Sequence, residues 1–220
     1  TNRRDRNKIA ALHHENERKL FDAKIGFFTH ITHEIRTPVT LILAPVEEIM
    51  RQKNIPEEIR DDLEVVKRNS ERLLDLVNQI LDFTKAEQEA FSSQNTWFDI
   101  DDLVEKTVQR FTPAAQQKGI QLTHDTPQPI RICTDREALT KVLSNLLTNA
   151  MKFTKDRILV SLTENPEAHT VTISVEDNGT GIKPTEKEKI FNLFYQSANK
   201  PQLPNKGFGI GLAIVSLLVK

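Results

Sequence analysis

A single cysteine, Cys133, occurs in the 220 residues. It has no partner for an internal disulfide and too little company for a multi-cysteine zinc site, and it fits a reducing, cytosolic compartment. Charge of one sign is equally short. Thirty Lys and Arg against 31 Asp and Glu leave a net of −1, so no basic excess is available to neutralise a phosphate backbone. No apolar run approaches the roughly 18 residues of a membrane span, and the charged opening residues do not read as a signal peptide. Glycine is sparse and uneven: seven in all, with only Gly26 before residue 92, while Gly179, Gly181, Gly207, Gly209 and Gly211 crowd into the last 42 positions. What remains, 38% hydrophobic and 28% charged residues, is the balance of a globular chain with room for one or two domains.

The glycine-poor part reads as long helix. Phe28, Thr32, Ile35, Val39, Ile42, Val46 and Ile49 follow alternating steps of four and three, and Ile59, Leu63, Val66, Ser70, Leu73, Val77, Ile80 and Thr84 repeat the pattern. Steps averaging 3.5 residues describe a supercoiled seam. Lys53-Asn54-Ile55-Pro56 breaks the two runs, and Pro56 followed by Glu57 and Glu58 makes a good helix start. The expectation is an antiparallel hairpin. Two helices alone are too thin to cover both stripes, and a two-fold dimer forming a four-helix bundle solves that problem. Thr1 to Asp22 is charged with sparse apolar residues and reads as a helical lead-in.

From Trp97 the pattern changes. Asp99 to Gln117 reads as an amphipathic helix, Ile120–Thr123 and Ile130–Cys133 as short strands, and Asp135 as the cap of a helix over Arg136–Lys152. Arg157–Thr163 and Thr170–Glu176 alternate in period two, and a last helix starts near Gly209. Cys133 is expected to be a buried strand residue. His13, His14, His124 and His169 have no motif around them and read as solvated. The fold class is α+β: a helical hairpin dimerising into a four-helix bundle, followed by an α/β two-layer sandwich.

Four constellations carry chemistry. At 100° per residue His33 lies about 140° from Phe28, away from a seam that clusters within about 60°, so its imidazole faces solvent. Pro38, one turn later, removes a backbone bond inside a helical run at a cost of about 3 kcal/mol. Such a kink beside an exposed imidazole suits a site, although a lone helical histidine is ordinarily just solvated. On the helix Arg136–Lys152, Leu139, Val142, Leu143, Leu146 and Ala150 form a stripe facing the sheet, while Asn145, Asn149 and Lys152 share another face. Two amides and an ammonium suit a metal-bound polyphosphate, and a plain polar face reads the same way. Asp177 ends a strand run before Gly179 and Gly181, which allow close approach of a flat ligand or simply make a turn. Gly207, Gly209 and Gly211 open the last helix, where free N–H groups suit phosphates, although glycine-rich loops are often only loops.

The segment Phe28-Thr29-His30-Ile31-Thr32-His33-Glu34-Ile35-Arg36-Thr37-Pro38 resembles the H-box of dimeric sensor histidine kinases of two-component systems. Asn145 to Phe153 resembles the N-box, Asp177 to Ile182 the G1 box, Ile190 to Phe194 the F-box and Gly207 to Ala213 the G2 box. The boxes run in family order over residues 28–213, and together they are far more specific than any one alone. The resemblance implies a signal-transmitting coiled coil at 1–22, a dimerisation and histidine phosphotransfer domain at 23–92, and a catalytic ATP-binding domain at 93–220. It implies ATP and Mg²⁺ as cofactors. His33 would be the phospho-acceptor and Thr37 the residue that positions water for phosphatase action; from adjacency alone, Glu34 would act as general base or orient the imidazole, with Arg36 assisting electrostatically. Asn149 would contact Mg²⁺ and Lys152 the phosphates, with Asn145 in support, and Asp177 would accept the adenine amine. Gly179, Gly181, Gly207, Gly209 and Gly211 would line the nucleotide, Lys183 to Lys206 would form a lid, and Phe191 and Phe194 would anchor that lid by packing.

Implied partners are a second copy, a receiver domain of a response regulator (separate or fused), and an upstream sensor domain, with no nucleic acid. The implied location is the cytoplasmic portion of an inner-membrane sensor protein. Family members usually continue past the last helix into a glycine-bearing hairpin that completes the sheet; the sequence here stops at Lys220. The alternatives are a degenerate, nucleotide-binding dimeric scaffold without kinase activity, or another ATPase of the same nucleotide fold. Intact box residues argue against the first, and an H-box on a heptad hairpin against the second.

Overall fold

The computed structural model describes residues 3–52, 54–89, 94–126, 129–197 and 207–219, with 3–22, 24, 88 and 89 described by backbone alone. The chain divides into two units, Thr1–Thr84 and Lys85–Lys220.

The first unit holds α1 (Arg3–Met50) and all but the last five residues of α2 (Glu57–Glu89). Pro38 and Pro45 both lie inside α1, which continues through them. Neither has an N–H, so the carbonyls of Glu34 and Leu41 lose their helical donors. The break falls where the sequence placed it, and Arg60 N–H donates to Pro56 O (3.0 Å) in the first turn of α2. Two contacts fix the hairpin as antiparallel: Arg36 Nη2 donates to Asn78 Oδ1 (2.9 Å), and Lys67 Nζ lies 3.7 Å from Glu47 Oε1.

The seam is divided in use. Ile25, Thr32, Val39 and Val46 are buried at steps of seven along α1, as are Ser70, Val77 and Thr84 along α2. The alternate positions, Ile35, Ile42 and Ile49 on α1 and Ile59, Val66 and Leu73 on α2, stay 38–50% exposed. One chain therefore covers half of its own heptad stripe. The buried hydroxyls bond locally, Thr32 Oγ1 to Phe28 O (2.7 Å) and Thr84 Oγ1 to Leu81 O (2.9 Å), so they are satisfied without a cross-helix partner.

The second unit runs β1 (Asn95–Asp99), α3 (Ile100–Gln117), β2 (Gln121–Asp125), β3 (Arg131–Asp135), α4 (Arg136–Phe153), β4 (Arg157–Asn165), β5 (Thr170–Asp177) and α5 (Gly211–Leu218). Short 3-10 turns lie at Pro184–Glu186 and Lys189–Phe191. β1 pairs antiparallel with β3, matching Phe98 to Ile132. β4 is the centre of a second sheet, parallel to β2 and antiparallel to β5, with Val160 opposite Val175. The core joins Ile100, Leu103, Val104 and Val108 of α3 to Leu143, Leu147 and Ala150 of α4 over Ile158, Val160 and Leu162 of β4. Each of the Ile, Leu and Val side chains among them contributes roughly 1.5–3 kcal/mol on burial.

Asp135 caps α4 as expected, accepting from Glu137 N–H and Ala138 N–H at 3.0 Å. Several local features differ from the sequence reading. β1 is an additional strand. The buried face of α4 runs through Leu143, Leu147, Ala150 and Met151, which moves the stripe toward Leu147. Cys133 is exposed, because Ile132 beside it takes the core side of β3 and period two turns the thiol outward. His124 and His169 are exposed, as read; the side chains of His13 and His14 lie outside the described residues.

Candidate functional site

In the first unit, His33, Glu34 and Thr37 are all exposed on α1. The helical period places Thr37 one turn beyond His33, and Thr37 Oγ1 donates to His33 O (3.2 Å), which seats that hydroxyl beside the histidine. Arg36, also in this turn, is held by Asn78 on α2. The imidazole is thus presented to solvent from a helix that is braced across the hairpin.

In the second unit, α4 carries Asn145, Asn149 and Lys152, all half-buried. Asn145 Nδ2 donates to Lys141 O (2.9 Å), and a Cβ added to Gly211 would lie 2.8 Å from Asn145 Oδ1, so the start of α5 rests directly on this amide. Lys152 Nζ stands 3.1 Å from where a Cβ on Gly207 would sit, and 5.1 Å from the ring centroid of Phe153. The Asn149 amide makes no hydrogen bond among the described residues. One face of α4 therefore meets the glycine-bearing entry to α5, and an oxygen donor and an ammonium stand on it.

The end of β5 reaches the same helix at its C-terminus. Asp177 Oδ1 accepts from Gly179 N–H (2.8 Å), and a Cβ on Gly179 would collide with the carbonyl oxygen of Phe153. Asn145, Lys152, Asp177, Gly179, Gly207 and Gly211 are thereby brought around α4. Gly209 is tied instead to the preceding segment: Phe194 N–H donates to Gly209 O (3.0 Å), and Gly209 has φ +74°. Gly181 stands apart, exposed and with no atom near its would-be Cβ.

Of the expected lid, residues 198–206 lie outside the described residues. Within the rest, Tyr195 Oη (3.1 Å) and Ser197 Oγ (2.8 Å) donate to Glu186 Oε1. Partial burial, with the Glu186 carboxylate beside it, pushes the Tyr195 phenol up. Phe191 and Phe194 are 43% and 56% exposed, so neither is buried as a packing anchor; Phe194 has φ +64°, a left-handed backbone that is uncommon outside glycine.

Sequence reasoning missed Asn178. Its Oδ1 accepts from Lys155 N–H, Asp156 N–H and Arg157 N–H, each at 3.2 Å, and lies 2.9 Å from Thr154 Oγ1. Its Nδ2 donates to Asp156 Oδ1 (2.7 Å). The only signal was the Asp-Asn-Gly tripeptide, which reads as a turn. Among the described residues no cluster of three His, Cys, Asp or Glu could hold a metal, and no helix is long and apolar enough to cross a membrane.

Residues 23–89 match the His Kinase A (phospho-acceptor) domain, and residues 134–220 match the histidine kinase-, DNA gyrase B- and HSP90-like ATPase family. Among curated relatives, the sensor histidine kinase TmoS of Ectopseudomonas mendocina is 35% identical over 96% of this chain and 23% of its own length. The sensor histidine kinase YcbM of Bacillus subtilis is 29% identical over 87% of this chain and 62% of its own. The chain spans 23%, 15% and 14% of three of the relatives it matches, so each extends well beyond the shared stretch. Among solved structures, full-length ShkA in complex with AMPPNP superposes with a TM-score of 0.68 at 29% identity, covering 88% of this chain and 40% of that one. The Acinetobacter baumannii histidine kinase AdeS, 20% identical over 85% of both chains, shares the fold with a TM-score of 0.56.

Proposed function

Because the chain belongs to the sensor histidine kinases, we propose that it takes the γ-phosphoryl group of ATP onto His33. It then passes that group to an aspartate of a response-regulator receiver domain, separate or fused, and also dephosphorylates that partner. The reading rests chiefly on one observation. A single chain carries a solvent-facing His33 on a braced helix and, on an ATPase-type fold, a half-buried amide and ammonium on one helix face beside the glycines that open α5.

His33 is the nucleophile in this scheme. A ring nitrogen forms the N–P bond as the bond from the γ-phosphorus to the ADP oxygen breaks, and Glu34, next in sequence, accepts the imidazole proton. The receiver carboxylate then attacks phosphorus and the N–P bond breaks. Thr37, already seated beside His33, positions the water that hydrolyses the receiver's acyl phosphate.

Asp177 has one oxygen engaged by Gly179 N–H, which orients the carboxylate and leaves the other to accept the exocyclic amine of adenine. Lys152 faces the phosphates from beside Gly207, Asn145 supports the start of α5, and Gly209 and Gly211 offer N–H groups there. Gly181 gives the loop after Asp177 its left-handed backbone position, at φ +69°. A magnesium ion would fit this donor set through Asn149, a half-buried residue whose side-chain amide makes no hydrogen bond among the described residues; such an ion takes most of its ligands from water and phosphate. When bound it supplies charge neutralisation at the phosphates.

A second copy of the chain is part of the reading. Ile35, Ile42, Ile49, Ile59, Val66 and Leu73 form the uncovered half of the heptad stripe, which a two-fold mate would bury as a four-helix bundle. The domain limits 1–22, 23–92 and 93–220 fit this division of labour, with a sensing segment joined upstream and the chain lying on the cytoplasmic side of a membrane.

The test is incubation with γ-labelled ATP and Mg²⁺ of the wild type, His33→Ala and Asp177→Asn. Acid-labile, alkali-stable label in the wild type alone is the expected result. Nucleotide binding without label would favour a signalling scaffold, and label persisting in His33→Ala would assign a different acceptor.

A further inference from the structure

We propose that Asn178 is a positioning residue of the nucleotide site: its carboxamide sets the distance between the Asp177 carboxylate and the Asn149–Lys152 face of α4. The inference deepens the nucleotide-binding reading above and rests on it.

The connectivity of the two elements carries the inference. Asp177 is the last residue of β5, while Asn149 and Lys152 stand on the final turns of α4. A nucleotide bound as proposed touches both, base on one and phosphates on the other, so its affinity depends on how those two elements are spaced. The turn Thr154 to Arg157 follows α4 and leads into β4, and Asn178 gathers that turn from outside it, beside the turn's own Thr154 hydroxyl, which accepts from Arg157 N–H (3.2 Å). Three backbone N–H groups at 3.2 Å converge on its Oδ1, the Thr154 hydroxyl lies between that oxygen (2.9 Å) and Arg157 O (2.7 Å), and Nδ2 donates to Asp156 Oδ1 at 2.7 Å.

The same turn is held from two other sides. Asp156 O accepts from Gln121 N–H of β2 (2.7 Å), and Arg157 O accepts from Asn178 N–H (3.3 Å). On the far side of Asn178, Gly179 packs directly on the Phe153 carbonyl. Asn178 is thus flanked in sequence by two residues of the adenine end and joined in space to the terminus of the phosphate-facing helix. A half-satisfied network of this kind is costly, so the carboxamide is held in one orientation by all of its partners together.

An asparagine does this because it combines an acceptor with a donor. Aspartate at 178 would keep the acceptor but set a second carboxylate against Asp156. Exchanging the two restores the pairing, with the 178 carboxylate accepting from the turn and from the Nδ2 of residue 156.

The experiment measures the affinity of the full chain for Mg-ATP by titration calorimetry, which does not require label transfer, alongside thermal melts. Asn178→Asp should weaken binding about tenfold, the equivalent of one net hydrogen bond. Asp156→Ala, a milder surface change usable if Asn178→Asp fails to fold, should weaken it roughly threefold. The exchange variant N178D/D156N should return to within about twofold of the wild type. Unchanged affinity in folded Asn178→Asp, or no recovery in the exchange variant, would overturn the assignment and leave Asn178 a purely structural residue. A wild type that does not bind Mg-ATP would instead remove the nucleotide-site reading itself, and the inference with it.

Discussion

At the residue scale, Gly179→Ala should cost far more than Gly181→Ala, although both glycines belong to one short motif. A Cβ at 179 meets the Phe153 carbonyl oxygen, a backbone atom that cannot step aside, whereas at 181 it meets nothing and incurs only the left-handed backbone cost of roughly 1–2 kcal/mol. Thermal melts and ATP titrations of the two variants check this ordering. Gly207→Ala should leave stability nearly unchanged yet weaken ATP binding, because its neighbour is the movable end of Lys152. Asp135 gives a pH-dependent prediction. The Ala138 N–H, with those of Gln94 and Glu137, holds its carboxyl below the usual range. A folded pKa below the unfolded value of about 3.9 adds stability above that value, and the contribution is lost as pH falls through the folded pKa. Asp135→Ala should therefore cost about 1 kcal/mol at pH 7, and the difference from wild type in urea melts should shrink on acidification below about pH 4. At this scale the sequence exposes residues whose chemistry is local. Asp135, before a helical run, announces a cap, whereas Asn178 depends on a turn 21–24 residues away and looks like any Asn-Gly turn.

At the element scale, the hairpin was legible because a 3.5-residue repeat is written in the order of its apolar residues. What that repeat did not contain was which half of the stripe a single chain covers. Ile42→Asp, at a half-exposed position, should leave the hairpin folded and the protein monomeric by light scattering. Val77→Asp, at a buried position, should unfold the hairpin and lower its helical circular dichroism. If Ile42→Asp remained dimeric, the second-copy reading of the uncovered stripe would fail. β1 is hidden in the sequence for the opposite reason. In Asn95–Asp99 only Phe98 is buried, while Trp97 points outward at 65% exposure, so no apolar alternation marks the strand. It forms because β3 supplies a partner, which is a tertiary cause. The α4 stripe lies part of a turn from its expected place, since several leucines in succession fit more than one face.

At the scale of the whole molecule, the proposed chemistry is divided between two separate units. One presents an imidazole, and the other gathers an amide, an ammonium, a carboxylate and glycines around α4. The division was visible in the uneven distribution of glycine, and the family in the order of five short boxes. The pairing of strands was not, because register between distant segments leaves no local trace. The central claim is that His33 carries the phosphoryl group. Peptide mapping of the ATP-treated chain by mass spectrometry at neutral pH, where a phosphoramidate survives, tests it most directly. Phosphate on the peptide containing His33, and on no other, is the predicted result; phosphate on His30, on a hydroxyl residue, or nowhere while Mg-ATP is bound would contradict it.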